Sequence, residues 1–439
     1  MPGSVPPLSE AAAALCVVFI LLAPCAIAGI SLINTGLVRS RSAAHMMACS
    51  LGAVAVAALA YFAIGFAWQG YFDSQGYFFL AAGKQWNWLA ADRFFLRSVP
   101  LNGSSASLAA CLEMFSVCLA AIIPLGSGAD RWRLSGVCLS TIVLAGWTYP
   151  LFAHWVWGGG WLSQLGSNYG LGQGFIDAGG SSTIHCVAGL TALSIAWILR
   201  PRRGKYSREG QPSAIPGHNA VYMLFGCLLA LLGWIGLNNA GAILFAGTGP
   251  EQSILISVNT LLAAAASGVT GAIVTRIRFG KPDASLSVNA WVGGLVASSA
   301  SCAFIQPPEA VIVGAVAGAI VTLSIEWSEL KLKIDDPGGA ISAHALGGLW
   351  GVLAAGVFGN VLGAGGENHG QLLAQLVGIA TLLGFVFPMT YGLNWALDRI
   401  FRQRVDPEGE RQGMDLYELG AGAYPEFVTH NDEFSDRGF

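Results

Sequence analysis

The sequence predicts an all-α polytopic membrane protein of eleven transmembrane helices, built as two inverted five-helix repeats followed by a C-terminal helix. Three observations predict it. The chain carries long apolar runs and only 11% charged residues. Its basic residues fall almost entirely on one set of alternate loops. One short motif occurs twice, in segments that must cross the membrane in opposite directions.

The apolar runs come first. Soluble domains carry about 25% charged residues, whereas this chain has a mean hydropathy of +0.59. Leu15 to Ile33, Ala43 to Trp68, Val137 to Trp157 and Gln371 to Leu397 each meet the roughly 18–20 residues needed to span ~30 Å of hydrocarbon. The full set of expected spans is 10–34, 43–69, 104–127, 134–157, 176–199, 218–246, 252–275, 285–305, 309–330, 338–360 and 370–400. The N-terminus has no basic n-region and its first run is long enough to span, so it reads as a retained helix. The small residues around Ala26-Ile27-Ala28 leave signal cleavage as the alternative.

The basic residues test the count. Threading these spans puts nineteen Lys and Arg on one side, among them Arg39, Arg131, Arg202, Arg278, Lys333 and Arg404. Only Lys84, Arg93 and Arg97 fall on the other. By the positive-inside rule the N-terminus is outside and the C-terminus cytoplasmic. All nine cysteines lie in expected spans, so no disulfide framework or C-x-x-C metal site is predicted. The net charge of −3 identifies no partner, and nothing points to nucleic acid.

The repeat defines the organisation. Asp177-Ala-Gly-Gly-Ser-Ser-Thr-Ile-His185-Cys-Val-Ala-Gly-Leu190 aligns without a gap on Asp336-Pro-Gly-Gly-Ala-Ile-Ser-Ala-His344-Ala-Leu-Gly-Gly-Leu349. Leu32-Ile-Asn34-Thr-Gly36 pairs in the same way with Leu237-Asn-Asn239-Ala-Gly241. The expected units are a first repeat (10–200), a basic cytoplasmic joint (201–217), an inverted second repeat (218–360), an eleventh helix (370–400) and a tail (405–439). Residues 70–103, rich in aromatics, read as an interfacial re-entrant or surface segment on the outer side.

Inversion has a geometric consequence, because five spans per half is an odd number. Each histidine lies eight residues beyond its aspartate, or ~12 Å at 1.5 Å per residue. Two such descents from opposite faces of a ~30 Å core leave a gap of about 6 Å. His185 and His344 are therefore expected to meet near the midplane. Intramembrane ionisable residues usually face a cavity or the bundle interior. The plainer alternative is a pair that glues helices together. A metal site would need further ligands, and only Cys186 is near in sequence. No Walker A, H-E-x-x-H or G-x-S-x-G motif is present, so neither an enzyme nor a cofactor is expected.

Several stretches carry a family likeness over about 10 to 427. They are Gly36-Leu-Val-Arg39, His154-Trp-Val-Trp157-Gly-Gly-Gly160 with Asp177…His185, Pro216-Gly-His-Asn219 and Gly233-Trp-Ile-Gly-Leu-Asn238. Asp335-Asp336…His344-Ala-Leu-Gly-Gly-Leu-Trp-Gly351 and Gly413-Met-Asp-Leu-Tyr…Ala-Tyr-Pro425 complete the set. Together they resemble the ammonium transporter, methylammonium permease and Rhesus family. The resemblance implies a homotrimer in the cell inner (plasma) membrane with one pore per protomer. Uptake of ammonium or methylammonium would pass the twin histidines His185 and His344, which relay the proton. It further implies an outer recruitment site with Asp177 and Trp157, and a PII-type regulator docking on the cytoplasmic face.

The sequence departs from the family pattern at the outer site. The two phenylalanines of the usual gate fall at Leu237 and Ser116; Phe115 stands one place off, and a one-residue shift would restore it. The usual hydroxyl becomes Gly241, or Ala242 if the helix is shifted. Glu113 stands where a glutamine is common, and reads equally as a cation site or a hydrogen-bonded packing group. Asp177 can act as an N-cap as well as a recruiting carboxylate. The expectation is an ammonium-family transporter with an altered outer site. A transport-poor ammonium or amine sensor, or a Rhesus-like neutral gas or small-solute channel, are the alternatives.

Overall fold

In the computed structural model, residues 8–71, 74, 76–360 and 369–424 are described. Phe72 of the aromatic loop and the tail beyond Tyr424, with Arg437, lie outside these residues. Ten helices among them are long and apolar enough to cross a membrane. We label the long helices α1 (Glu10–Leu37), α2 (Ser40–Gln69), α3 (Ser105–Gly128), α4 (Leu134–Val156), α5 (Ser181–Leu199), α6 (Ala220–Phe245), α7 (Pro250–Phe279), α8 (Ala284–Ser299), α9 (Pro307–Leu332), α10 (Ile341–Phe358) and α11 (Gly370–Ile400).

The expected count of eleven is not reached: ten helices have spanning length, and the segment expected at 285–305 holds only the shorter α8. α8 has 16 residues, about 24 Å of helix, where 285–305 was expected to span. Its end leaves the helix because the chain there is bonded elsewhere. Gly179 N donates to Ser299 O (2.7 Å) and Ala178 N to Ala300 O (3.2 Å). The Asn259 amide donates to Cys302 O (2.9 Å) and Ile305 O (2.8 Å). Hydropathy cannot register such competition for backbone groups.

The helices begin where capping residues stand. Ser9, Ser104, Asn219 and Asp283 each accept a backbone N–H from the first turn of α1, α3, α6 and α8, satisfying one of the donors a helix leaves unpaired. α1 lies along α6 at close range. A Cβ on Gly226 would sit 2.6 Å from Gly29 O, and one on Gly36 2.6 Å from Asn219 O. Small residues allow that approach, which dispersion then rewards. Large apolar side chains face outward along the helices: Leu51 is 68% and Ile277 78% exposed. The interior holds the polar groups, as a bilayer demands.

The aromatic loop departs from an all-helical reading. It forms an antiparallel hairpin, β1 (Gly76–Ala81) and β2 (Lys84–Ala90). Its turn, Ala82-Gly83, has φ of +50° and +70°, matching the twist of paired strands. We call this face the hairpin side and the opposite face the tail side.

The tail side is held by buried charges. Arg202 donates from Nε and Nη2 to the two oxygens of Asp335 (2.9 and 3.0 Å) and from Nη1 to Asp130 (2.9 Å). Arg39 pairs with Asp130 (3.1 Å), and Arg131 donates to Asp335 O (2.8 Å). Burial alone would raise the Asp335 carboxyl, but Arg131 and Arg202 outweigh it and hold the group well below the ordinary carboxylate range. The residues of this cluster lie far apart in the chain, from Arg39 to Asp335. The tail folds against it: Arg404 reaches Leu199 O, Pro201 O and Glu410.

Candidate functional site

Both histidines sit in wide helical turns, Ser181–Cys186 opening α5 and Ile341–Leu346 opening α10. Wide turns of this kind recur at functional positions. Each is entered through a glycine at positive φ, Gly180 (+100°) and Gly339 (+64°), where a side chain would be strained. Each is also capped by its aspartate. Asp177 Oδ1 accepts from Gly180 N (2.9 Å). Its Oδ2 accepts from Ser182 N (2.8 Å), Ser182 Oγ (2.5 Å), Thr183 N (2.9 Å) and Thr183 Oγ1 (3.2 Å). Asp336 accepts from Ile341 N (2.8 Å) and Ser127 Oγ (2.6 Å).

These two turns bring the imidazoles together. His185 Nδ1 and His344 Nδ1 lie 3.3 Å apart, with ring centroids at 5.2 Å and an angle of 35° between the planes. Both rings are buried. The shared bond requires one Nδ1–H and one bare Nδ1, so two neutral rings must adopt opposite tautomers. His185 Nε2 makes no hydrogen bond among the described residues.

Close backbone packing fixes this geometry. A Cβ on Gly348 would sit 2.5 Å from Ser181 O and 2.6 Å from Cys186 Sγ. One on Gly189 would reach Ala345 Cα at 2.8 Å. Trp234 stacks on His185 at 4.9 Å with the planes 7° apart. Sequence reading quoted Trp234 within a motif but gave it no role; a tryptophan among small residues on α6 was the available signal.

The hairpin-side residues occupy distinct places. Trp157 is buried, donates its indole N–H to Asp177 O (2.7 Å) and stacks on Phe245 at 4.5 Å and 11°. Phe245 was not anticipated. Leu237 is buried on α6. Gly241 packs against the carbonyl of Ala178, and a Cβ there would also sit 3.3 Å from Gly179 Cα. The position therefore excludes the hydroxyl whose loss the sequence suggested.

On α3, Ser116 is buried and its hydroxyl donates to Leu112 O (2.9 Å). Phe115 lines a groove of about 500 Å³ between α1, α2 and α3, with Ile27, Val54 and Met114. Glu113 is buried one turn before Ser116 and accepts the Tyr149 hydroxyl at 2.6 Å.

Comparison with known proteins gives a consistent picture. Residues 13–424 match the family model described as Ammonium Transporter Family. Ammonium transporter Amt2 of Archaeoglobus fulgidus is 36% identical over 421 residues, covering 92% of this chain and 86% of that protein. Ammonium transporter 1 member 3 of Solanum lycopersicum is 28% identical, covering 90% and 89%. A solved structure titled Sensor Amt Protein superposes with a TM-score of 0.83 at 26% identity, covering 93% of this chain and 98% of that one.

Proposed function

Because the chain belongs to the Ammonium Transporter Family, we propose that it carries ammonium or methylammonium across a membrane on a narrow path past His185 and His344, the cation giving up its proton on the way. The observation that carries this reading is the buried pair of imidazoles sharing an Nδ1–Nδ1 bond. The like-for-like capping by Asp177 and Asp336 supports two inverted repeats. So do the matched bonds Gly179 N to Ser299 O and Gly338 N to Gly126 O.

The energetics favour such a route. Moving a bare cation into a medium of low dielectric has an idealised Born cost of order 20 kcal/mol. Removing a proton from an amine of pKa near ~10.4 at pH 7 costs about 4–5 kcal/mol. The neutral amine then crosses a path of low polarity. One imidazole accepts the proton at its bare nitrogen while the shared Nδ1 proton shifts to the other ring. The second ring releases a proton from its own outer nitrogen, so charge and atoms balance. Imidazole suits this relay because it donates and accepts near neutral pH.

The hairpin side is the outer face on this reading, with the tail cytoplasmic and the cell inner membrane as the site. Asp177 acts mainly through structure, holding the His185 turn and, by its carbonyl, Trp157. A homotrimer and a docked regulator on the tail side belong to the same reading. A sensor is the second reading, favoured by the likeness to the structure titled Sensor Amt Protein.

Uptake of radiolabelled methylammonium by proteoliposomes tests the proposal. Uptake above protein-free vesicles is expected, and its absence with folded protein overturns transport.

A further inference from the structure

We propose that Glu113 is a binding carboxylate for a small ammonium-type cation on the hairpin side of the path, at a place separate from Asp177. The inference rests on the transport reading for its substrate class and on its own geometry for the site.

Glu113 is the one charged residue of α3 and is 1% exposed. Its Oε2 accepts the Tyr149 hydroxyl at 2.6 Å. Its Oε1 makes no hydrogen bond, lying beside the Gln69 side-chain amide without reaching bonding geometry. Tyr61, also buried, donates its hydroxyl to Gln69 Oε1 (2.7 Å). Thr148 Oγ1, next to Tyr149 in the chain, is a second buried oxygen with no hydrogen bond among the described residues.

Asp177 provides the contrast. Four of its five donors converge on Oδ2 and Gly180 N takes Oδ1, so the carboxylate is engaged in capping the turn. A cation at Asp177 would compete with the bonds that cap the His185 turn. Glu113 has one close donor, Tyr149, with the Gln69 amide as its only other neighbouring donor among the described residues.

The charge balance points the same way. Asp177 is near enough to act on Glu113 electrostatically, and no basic side chain forms an ion pair with either among the described residues. A buried carboxylate without a positive partner costs several kcal/mol, which a proton or a cation offsets. One turn further along α3 is Ser116, where the family pattern has an aromatic ring. The carboxylate thus stands beside the place where aromatic capture is missing. Tyr61, Tyr149 and Gln69 supply the neutral oxygens and ring faces around it.

The test is isothermal titration of methylammonium into purified protein in detergent, comparing wild type with Glu113→Gln. Glu113→Gln has nearly the same shape and keeps a bond to Tyr149. The inference expects Glu113→Gln to bind at least tenfold more weakly than wild type. Glu113→Asp, which keeps the charge, should retain most of the affinity and guards against a folding defect. Glu113→Gln binding within twofold of wild type, or no binding by wild type, overturns the inference. Methylammonium uptake by wild type is scored separately, so an intact transporter with an indifferent Glu113 refutes only this proposal.

Discussion

Replacing Arg202 with alanine removes the residue that ties Asp130 to Asp335, 205 positions apart in the chain. Its side chain is 3% exposed and makes three charged hydrogen bonds of 2.9–3.0 Å. Losing one partner of a buried pair costs roughly 3–5 kcal/mol, since the other charge is left uncompensated. Arg39 at 3.1 Å from Asp130 and Arg131 at 3.8 Å from Asp335 remain, so we expect the low end, about 3 kcal/mol. That lowers the folded-to-unfolded ratio roughly 150-fold at 1.4 kcal/mol per decade. SDS titration read by tryptophan fluorescence measures it. Adding Asp335→Asn to Arg202→Ala should recover part of the loss, because it removes the stranded charge.

The pH dependence follows from the sign of the shift at Asp335. Its folded-state value is depressed, so its stabilisation is present above the ordinary value of about 3.9. It fades as pH falls below that value towards the depressed one. The gap between wild type and Arg202→Ala should therefore be full at pH 7 and shrink below about pH 4. Arg202→Ala within 0.5 kcal/mol of wild type at pH 7, by the roughly 0.5 kcal/mol scatter of surface changes, would refute the reasoning.

Three further outcomes are expected. Gly189→Ala forces a methyl against the Ala345 backbone, which should cost about 1–3 kcal/mol and cut methylammonium uptake as the imidazoles part. Gly241→Ser should weaken uptake rather than restore capture, because its Cβ meets the Ala178 carbonyl; a lower KM with unchanged stability would contradict this. Glu418 receives His45 Nε2 at 2.8 Å and Leu134 N at 2.9 Å. Burial would raise its carboxyl, but those bonds hold it below its usual range. Its contribution is thus present above the ordinary value of about 4.3 and lost as pH falls through the depressed one. Hydrogen exchange in the tail should rise in Glu418→Gln at neutral pH, and a tail protected as in wild type would count against these contacts holding it.

The meeting of His185 and His344 was legible because one motif occurs twice, each time with its histidine eight residues beyond an aspartate. A gap of about 6 Å compares with centroids 5.2 Å apart. Asp177 as a cap was equally readable from its place before an apolar run. Other features depend on partners distant in sequence. α8 stops at Ser299 because the loop before α5 claims its backbone. Trp234 and Phe245 matter through the rings they cover, His185 and Trp157, and no local pattern announces a stack. Gly241 looked like a lost hydroxyl, whereas packing against Ala178 leaves no room for one. The hairpin was missed because its aromatics suit an interfacial segment as well as a strand, although Ala82-Gly83 was a usable turn signal.

The central claim is that ammonium crosses past the two histidines by giving up its proton. Solid-supported-membrane electrophysiology on proteoliposomes tests it most directly, with pulses of ammonium, methylammonium and potassium on wild type and His185→Ala. The account predicts a transient for ammonium and methylammonium, none for potassium, and loss of the transient in folded His185→Ala. A wild type that is silent to ammonium, or a His185→Ala protein that conducts it as well as wild type, would contradict it.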